Sequence, residues 1–406
     1  MKLLNKHNAK VELTESALSG KKHQSGYSIL ELLVAMTLGV LVLSSAVTLQ
    51  VTNREDFKST TSELEMKTSA KMAAEFIGTS LRGVGVMGCR TIDGFQTIRA
   101  EDRVAQTESS YNIVLNSAQS AVKYIADADF FAGHEILGYD ASGSGWSPLP
   151  DASLNLTAMT TGSDAITLRG GVGESYVLTN GRAFGDTQYS LSIPANTDVR
   201  ITTNNYAVAS TCKNAEVFKV TSSDAAIDLG NVGRDAGGGA NDNSQGSMTK
   251  EFGIDKEGFA ELRRVATTSY YISNNNQGIP TLYRNIDGVS SPLVEGVEHM
   301  MLDYGVENSV TLRNVAGQYL TAGAIQASCA NPLPVPVSPS CLWPSVVSVR
   351  VSFVMRSREE IYGKNITKVY TLPGASDQVY SKADRYSRSI YSSTFVVRNR
   401  MIGKRT

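Results

Sequence analysis

The stretch that decides the fold is Gly26-Tyr27-Ser28-Ile29-Leu30-Glu31, which opens an apolar run extending from Ile29 to Val51. A helix of ~20 apolar residues is long enough to cross the hydrocarbon core of a bilayer. The run contains no proline, and its single charge is the carboxylate of Glu31 in the first turn. We therefore predict a membrane-spanning helix over residues 27–52, and a buried core helix is the weaker alternative.

A polar leader, residues 1–26, precedes the run and carries five lysines against two glutamates, a net charge of +3. A positive leader before a membrane helix predicts that the leader stays in the cytoplasm and that the chain after Thr52 lies outside it. A secretory signal would place a small-residue cleavage site after the apolar core, but the segment from Gln50 to Glu55 makes a poor site. Cleavage after Gly26 would instead discard the leader and keep the helix as the new N-terminus.

The composition allows one or two globular cores and argues against a broad nucleic-acid surface. The chain has 406 residues, of which 41% are hydrophobic, so it can bury a substantial interior. Without the leader, 33 basic and 37 acidic residues remain, a net charge of −4. A nucleic-acid-binding face would need clustered lysine and arginine.

Four cysteines, all on the predicted outer side, indicate disulfide bonds. Cys89, Cys212, Cys329 and Cys341 include no CxxC pair, so two disulfides in an oxidising compartment fit better than a metal site. Of the three pairings that four cysteines allow, we favour Cys329 with Cys341 and Cys89 with Cys212. Prolines stiffen the first loop, so its bridge should add less than the ~3 kcal/mol typical of a flexible 15-residue loop.

The helix is predicted to continue beyond the membrane to about Leu81 as an amphipathic second half, residues 53–82. This part lacks proline, and its apolar side chains follow one stripe at helical spacing. The stripe consists of Phe57, Leu64, Ala70, Ala73, Ala74, Ile77 and Leu81. Gly78, Gly83 and Gly85 are expected to end the helix. The stripe must pack against something downstream.

The remainder, residues 83–406, is predicted to form a mainly antiparallel β domain, because short β-prone runs recur without βαβ alternation. The runs are Ala165–Arg169, Val199–Thr202, Glu216–Thr221, Thr267–Ser273, Thr281–Arg284, Val297–Val306, Val346–Arg356 and Ser389–Arg398. The glycine-rich segment Asn231–Gly246 is predicted to be a flexible loop or a junction between two β lobes. The expected fold class is therefore α+β, with a long N-terminal helix packed on the β domain.

No motif in the sequence specifies an enzyme, a cofactor or a metal. The segment Gly83–Gly88 matches GxGxxG, but a dinucleotide site needs a strand before it and a helix after it, so we interpret it as a helix stop. His134 and His299 lack partners at metal-ligand spacing, and we expect His299 to be structural. The loop Asp235–Asp242 offers oxygens to calcium but lacks an EF-hand pattern, so a solvated loop is favoured.

Glu31 is unusual, because a carboxylate near the centre of a membrane helix costs ~2.5–3.5 kcal/mol and less near its end. In one interpretation it only snorkels to the headgroups. In the other it needs a cation in the same layer, and cleavage after Gly26 would create one, the new α-amine of Tyr27. Two such helices could pair amine with carboxylate between subunits, which would favour joining a filament.

These residues resemble the N-terminus of a type IV prepilin. The resemblance implies that prepilin peptidase cleaves between Gly26 and Tyr27, that Tyr27 is then N-methylated, and that Glu31, the fifth mature residue, acts in subunit assembly. Tyr27 departs from the usual Phe of the family, and the leader is longer than most.

Looser motifs downstream are similar to the PilW family of minor pilins. They are Ser80–Gly85 with Gly88 and Cys89, Gly162–Thr167, Pro280–Arg284, Leu293–Glu298 with Asp303–Gly305, Trp343–Val351 and Phe395–Arg400. The resemblance implies a low-abundance subunit that joins other minor pilins in a tip complex priming pilus assembly, for motility, adhesion or DNA uptake. Its implied partners are prepilin peptidase, the major and other minor pilins, the assembly platform of the inner membrane and an adhesin at the tip. The implied location is the inner membrane, with a single span and a periplasmic domain, and then the pilus.

Two other functions stay open at this point. A minor pseudopilin of type II secretion (the J type) would share the helix and the general fold, although such chains are usually shorter. A binding module, in which the β region contacts DNA or a host surface directly, is the alternative from another class. A secreted hydrolase is the least favoured.

Overall fold

A computed structural model describes residues 26, 28–87, 90–91, 111–113, 135–156, 158–178, 188–192, 201–211, 215–223, 231–237, 242–243, 246, 260–308, 312–329, 341–374 and 378–401. The leader up to residue 25, Tyr27, His134, Cys89 and Cys212 lie outside these residues, and so does the predicted Cys89–Cys212 bond. The chain divides into two compact units, residues 1–57 and 58–406.

The first helix, α1, runs over Ile29–Gly83, as the predicted long helix requires. Ser28 precedes it: its Oγ accepts a hydrogen bond from the N–H of Leu30 at 3.3 Å, and its carbonyl accepts from the N–H of Glu31 at 3.0 Å. These bonds satisfy donors that have no partner inside the first turn of a helix. The serine and threonine side chains of the apolar run bond back to carbonyls three or four residues earlier, for example Ser45 to Val42 at 2.8 Å. Such polar groups need no partner outside the helix.

The buried stripe on the second half of α1 differs in part from the predicted one. The buried residues are Ser62, Met66, Ala70, Ala73, Ala74, Ile77, Gly78 and Leu81. Phe57 and Leu64 were predicted on this stripe, but they are 74% and 61% exposed, so the prediction is wrong at both. At 100° per residue, Leu64 lies about 160° around the helix from Met66. Gly78 does not end the helix but lies within it, where an added Cβ would overlap the ring of Phe395.

The larger sheet contains twelve strands in the described part of the chain. They are β3 (Tyr111–Ile113), β4 (Ile136–Ser142), β5 (Gly145–Ser147), β6 (Ala165–Leu178), β7 (Gln188–Ser192), β8 (Tyr206–Ser210), β9 (Ala215–Lys219), β10 (Ser222–Ser223), β11 (Asn231–Gly233), β12 (Glu261–Asn274), β13 (Pro280–Ile286) and β14 (Val289–Glu295). The main path is β10-β11-β7-β6-β12-β8-β9-β3. Strands β13 and β14 extend it from β12, and β4 and β5 extend it from β6. A short hairpin of β1 (Val86–Met87) and β2 (Arg90–Thr91) follows α1.

The smaller sheet has four antiparallel strands in the order β16-β15-β17-β20. Its strands are β15 (Val297–Asn308), β16 (Leu312–Leu320), β17 (Val346–Glu360) and β20 (Tyr386–Val396). Strands β18 (Ile366–Leu372) and β19 (Gln378–Asp384) form a separate hairpin. The remaining described elements are two short α-helices, α2 (Ala322–Gln326) and α3 (Arg398–Met401), and two 3₁₀-helices, Ala152–Leu154 and Trp343–Ser345. With one long helix and nearly all pairings antiparallel, the predicted α+β class is confirmed.

One hydrophobic core joins the second half of α1 to both sheets. Its members include Ile77 and Leu81 from α1, Leu168, Tyr270 and Leu282 from the larger sheet, and Leu302, Val349 and Phe353 from the smaller one. The hydroxyl of Tyr270 donates to the carbonyl of Phe76 at 3.0 Å and lies 2.7 Å from Ser80 Oγ. The helix is therefore fixed to β12 by polar bonds as well as by apolar contact.

Most predicted strands are present, and several are longer than predicted. The exception is Val199–Thr202, whose two described residues, Ile201 and Thr202, are not in a strand. Apolar and polar residues largely alternate along the sequence of β17, but Ser348, Ser352 and Val354 are buried as well as the residues of the opposite face. Its second face is covered because Val354 and Leu372 of β18 share a small apolar cluster.

The segment Asn231–Gly246 is not simply a flexible loop where it is described. It contains β11, and Ala236 and Asn243 form a β-bridge. The side chain of Arg234 is fully buried and pairs with Glu216 at 2.5 Å. The predicted disulfide Cys329–Cys341 is present, with the two Cα atoms 4.2 Å apart.

Candidate functional site

The candidate site begins at the N-terminal segment, residues 26–31, where Gly26 and Ser28 are non-helical and α1 starts at Ile29. Gly26 has open space around it, since an added Cβ would meet no atom within 4 Å. Glu31 lies exposed in the first turn of α1. A helix N-terminus carries a partial positive charge that stabilises a carboxylate there. The predicted partner, the amine of Tyr27, lies outside the described residues.

The apolar half of α1 is unburied along its whole length. Every Ile, Leu, Val and Met side chain from Ile29 to Val51 is 50% or more exposed. Burying one such side chain is worth about 1.5–3 kcal/mol, so fourteen of them in water would cost tens of kcal/mol. This helix is also the one among the described residues that is long and apolar enough to cross a membrane. The surface therefore requires lipid or other protein around it.

The charges on α1 mark the two ends of the apolar surface. Between Glu31 and Arg54 there is no charged residue, and Arg54, Glu55, Asp56 and Lys58 then follow closely. The 23-residue interval corresponds to about 35 Å of helix. A bilayer core is ~30 Å thick, so Glu31 and Arg54 are spaced to reach opposite interfaces.

The motif Gly162–Thr167 connects the two sheets within the second unit. Asp164 accepts hydrogen bonds at 2.8 Å from the N–H of Ala141 and from the N–H of Leu302. Ser163 adds a bond from the N–H of Met300 at 3.0 Å. Burial raises the pKa of Asp164 to about 7, although the two backbone bonds oppose that change. The sequence alone did not predict that this segment bonds both sheets.

The motif Phe395–Arg400 holds the C-terminal end of α1. Asn399 donates from Nδ2 to the carbonyl of Arg82 at 2.8 Å and to the carbonyl of Val84 at 2.7 Å. The first bond satisfies a carbonyl that has no partner within the last turn of α1, and the second holds the residue that follows the helix. Together with Phe395 on Gly78, they fix the end of α1 to the β20–α3 segment.

The motif Leu293–Glu298 contributes a turn and a buried ion-pair network. Gly296 has φ +83° between β14 and β15, a conformation that favours glycine. Glu298 contacts Arg388 at 2.5 Å and Lys382 at 3.1 Å, and Arg388 also bonds Asp384 at 2.5 Å. Burial raises the pKa of Glu298, but these hydrogen bonds outweigh it and hold the pKa below the ordinary value. The network ties the β18–β19 hairpin to the smaller sheet.

His299 and Gly83, the first glycine of the GxGxxG segment, both pack against neighbouring residues of the fold. This agrees with the interpretation of His299 as structural and of the segment as a helix stop. His299 lies against the ring of Tyr380, with ring centroids 5.3 Å apart, and burial lowers its pKa. Helix α1 ends at Gly83, and Val84 then bridges Gly170. Gly83 and Gly170 approach so closely that a Cβ on either would overlap backbone.

No group of three or more metal-ligating side chains occurs in the described part of the chain. In the acidic loop, Asp235 accepts a hydrogen bond from Thr221 Oγ1 at 3.0 Å. Asp242 pairs with Lys219 at 2.9 Å. These two carboxylates are therefore already engaged by side chains of the same unit.

Two regions of the chain match known protein families. Residues 269–399 match the family described as PilW, type IV pilus-assembly protein W. The predicted resemblance to PilW is confirmed. Residues 21–47 match the prokaryotic N-terminal methylation motif, and the two matches together support a type IV pilin-like protein. No curated protein and no solved structure matches the chain.

The two matches cover the two parts of the molecule described above. The methylation motif spans Gly26, Tyr27 and Glu31 and the start of the unburied helix, which indicates membrane anchoring and association with a pilus. The PilW match extends from β12 to α3 and contains the smaller sheet, the disulfide and the Glu298–Arg388 network. The individual roles of Gly26, Tyr27 and Glu31 stay predictions.

Proposed function

We propose that the protein is a minor pilin, processed after Gly26, that helps to prime assembly of a type IV pilus within a minor-pilin complex at the tip. The observation that carries this proposal is the methylation motif on residues 21–47, because it falls on a helix whose apolar side chains are exposed from Ile29 to Val51. The PilW match over residues 269–399 favours the pilus over type II secretion.

The proposed assembly step depends on one charge pair. Hydrolysis breaks the peptide bond between Gly26 and Tyr27, and water adds OH to the carbonyl carbon of Gly26 and H to the nitrogen of Tyr27. The new α-amine of Tyr27 is then protonated and carries a positive charge. In lipid, an unpaired Glu31 is costly, whereas a carboxylate that meets the amine of a neighbouring subunit is neutralised. Pairing therefore favours entry of the helix into the filament.

We propose that the chain is organised in four consecutive segments. Residues 1–26 are the leader, 27–52 the membrane-spanning half of the helix, 53–82 its amphipathic half, and 83–406 the β-rich domain. The protein would first lie in the inner membrane with a single span and a periplasmic domain, and then in the pilus at the cell surface. The net charge of +3 on the leader, against the mixed charges from Arg54 to Lys58, supports this topology.

The proposed role is structural and not catalytic. Its partners are prepilin peptidase, the major pilin and other minor pilins, the assembly platform of the inner membrane and an adhesin at the tip. The acidic balance after residue 26 supports a protein partner over a nucleic acid.

Replacement of Gly26 tests the proposal. Gly26→Phe should leave a full-length precursor on an immunoblot, whereas the native chain should lose its leader and begin at a methylated Tyr27 by mass spectrometry. Gly39→Phe is the matched control, since Gly39 lies inside α1, away from the proposed cleavage site, and also has open space around it, so this variant should be processed. Normal processing of Gly26→Phe would reject the cleavage assignment. Failure of the native protein to co-purify with other minor pilins would reject the tip-complex role.

A further inference from the structure

A groove of about 510 Å³ lies beside the C-terminal end of α1, where the helix meets β6 and β12. Four arginines line it: Arg82 from α1, Arg263 and Arg264 from β12, and Arg284 from β13. Arg82 belongs to the Ser80–Gly85 motif and Arg284 to the Pro280–Arg284 motif, but the proposed assembly step does not use this groove. We call it the arginine groove.

An irregularity in the sheet opens the groove. Arg263 pairs with Ser175, but the next residue, Arg264, pairs with Val172, so the register between β12 and β6 shifts at this point. The residues passed over include Gly173, whose φ of +73° suits glycine. Such bulges re-aim side chains and interrupt the ladder. Here two consecutive arginines of one strand both line the same groove.

The positive charge of the groove is only partly neutralised. Arg264 pairs with Asp287 at 3.1 Å, and Arg82 pairs with Glu75 on its own helix. Arg263 and Arg284 have no carboxylate partner among the residues that the structure describes. The Nε atoms of Arg263, Arg264 and Arg284 are also buried without a hydrogen-bond acceptor there. The guanidinium groups of these arginines are therefore not fully satisfied by the described residues of the protein itself.

We propose that the arginine groove binds a carboxylate-bearing acidic peptide segment of a partner subunit. That the partner is a pilus subunit rests on the proposed function, whereas binding of an acidic peptide does not. Guanidinium groups present paired donors that match a carboxylate. The one carboxylate in the lining, that of Glu174, is exposed.

The size and layout of the groove favour a peptide over a nucleic acid. Its volume lies within the ~300–1,000 Å³ typical of pockets that enclose a small ligand. A groove that follows a nucleic-acid backbone extends over several phosphates and stacks bases on aromatic side chains. The arginine groove is compact, and Tyr176 is the single aromatic residue in its lining among the described residues.

Titration of the full-length protein in detergent micelles tests the proposal. The probe is a fluorescein-labelled octapeptide of alternating Glu and Gly, and the reference peptide carries Gln in place of each Glu. We expect the glutamate peptide to bind and the glutamine peptide not to bind. Arg263→Gln and Arg284→Gln should each weaken binding on the order of tenfold, the cost of losing hydrogen bonds to a charged group. Arg358→Gln is the matched control, because Arg358 is 72% exposed outside the groove, and it should leave binding unchanged.

Two variants that keep every arginine separate binding from folding. Glu174→Gln removes the competing carboxylate and should tighten binding, whereas Thr79→Glu places a carboxylate among the guanidinium groups and should weaken it. If the arginines only hold the fold together, Arg263→Gln will lower Tm and these two variants will not change binding. That result overturns the proposal.

Other outcomes would also reject it. Equal binding of the two peptides, or equal loss with Arg358→Gln, excludes a carboxylate site in the groove. Tighter binding of a single-stranded DNA 12-mer or of inorganic phosphate than of the glutamate peptide excludes an acidic peptide as the ligand. The titration does not depend on leader cleavage or piliation, so its failure is distinguishable from failure of the proposed pilin function.

Discussion

Replacing Asp164 with Asn tests whether its buried carboxyl group, which bonds both sheets, makes the unfolding free energy depend on pH. Asp164 accepts one backbone bond from each sheet region, from Ala141 and from Leu302, each at 2.8 Å. Asp140 and Asp303 are the nearby acids that raise its pKa further after burial. Asparagine keeps the size of the side chain but offers one oxygen acceptor instead of two, so one backbone N–H loses its partner. That loss should cost about 1–3 kcal/mol.

The sign of the pH dependence follows from the raised pKa. The pKa of Asp164 is raised from 3.8 to about 7 in the folded protein, so between these values the folded state binds more protons than the unfolded state. The contribution of the carboxyl group to stability is therefore fully present below about pH 4 and falls as the pH rises to 7. A shift of this size corresponds to on the order of 4 kcal/mol at 1.36 kcal/mol per unit.

The measurement is the difference in unfolding free energy between the native protein and Asp164→Asn, from urea unfolding in detergent between pH 4.5 and 7.5. The difference isolates the carboxyl group, because His299, whose pKa is lowered by burial, contributes equally to both proteins and in the opposite direction. We expect the advantage of the native protein to shrink or reverse as the pH rises. Asp56→Asn, on an exposed position of α1, should give a constant difference. A constant or rising difference for Asp164→Asn would refute the reasoning.

Three further substitutions separate folding from assembly. Gly78→Leu should lower the unfolding free energy by about 1–3 kcal/mol, measured by urea unfolding, because the new side chain overlaps Phe395. Glu31→Ala should be cleaved normally on an immunoblot but should reduce the amount of the protein in sheared pili. Arg388→Gln should destabilise the protein by about 3–5 kcal/mol, seen as a lower urea midpoint, since it leaves Glu298 buried without its main partner.

Each of these predictions has a matched control in the same chain. Gly39→Leu changes a helical glycine with open space around it and should leave the urea midpoint unchanged. Glu55→Ala removes a carboxylate beyond the apolar run and should leave incorporation intact, and equal loss for both glutamate variants would contradict the amine pairing. Arg358→Gln removes an exposed arginine and should change stability by less than about 1 kcal/mol. Unchanged stability of Arg388→Gln would show that the Glu298 network does not hold the hairpin.

The extent of α1 could be predicted because length, apolar content and the absence of proline are local properties of the sequence. Which face of its second half is buried could not be predicted fully. Counting apolar residues placed Phe57 and Leu64 on the stripe, whereas the sheets cover a face that includes Ser62 and Met66. The deciding information lies in strands more than a hundred residues away. Gly78 was misassigned for the same reason, because its partner, Phe395, is 317 residues further along the chain.

The candidate site divides in the same way. Gly26 and Glu31 could be selected from the sequence because a carboxylate in an apolar run and a glycine at its border are anomalies that need no tertiary information. The structural tasks of Asp164 and Asn399 could not be selected, since each is defined by backbone groups that the fold brings from distant segments. The arginine groove could not be recognised from the sequence, because its four arginines come from three separate elements that only the fold brings together.

The two halves of α1 place opposite demands on their surroundings, and this makes cleavage and folding separable. The half from Ile29 to Val51 is unburied and directly follows the cleavage site proposed at Gly26, whereas the stripe from Ser62 to Leu81 is buried by the sheets of its own unit. Gly26→Phe should therefore block processing without changing the unfolding of the domain, and Gly78→Leu should destabilise the domain while the leader is still removed. Leader removal should therefore respond only to Gly26→Phe, and the unfolding free energy of the domain should respond only to Gly78→Leu. A variant that altered both measurements would show that the two halves of α1 are coupled. The helix would then act as one unit, and loss of piliation in a domain variant could no longer be attributed to the domain.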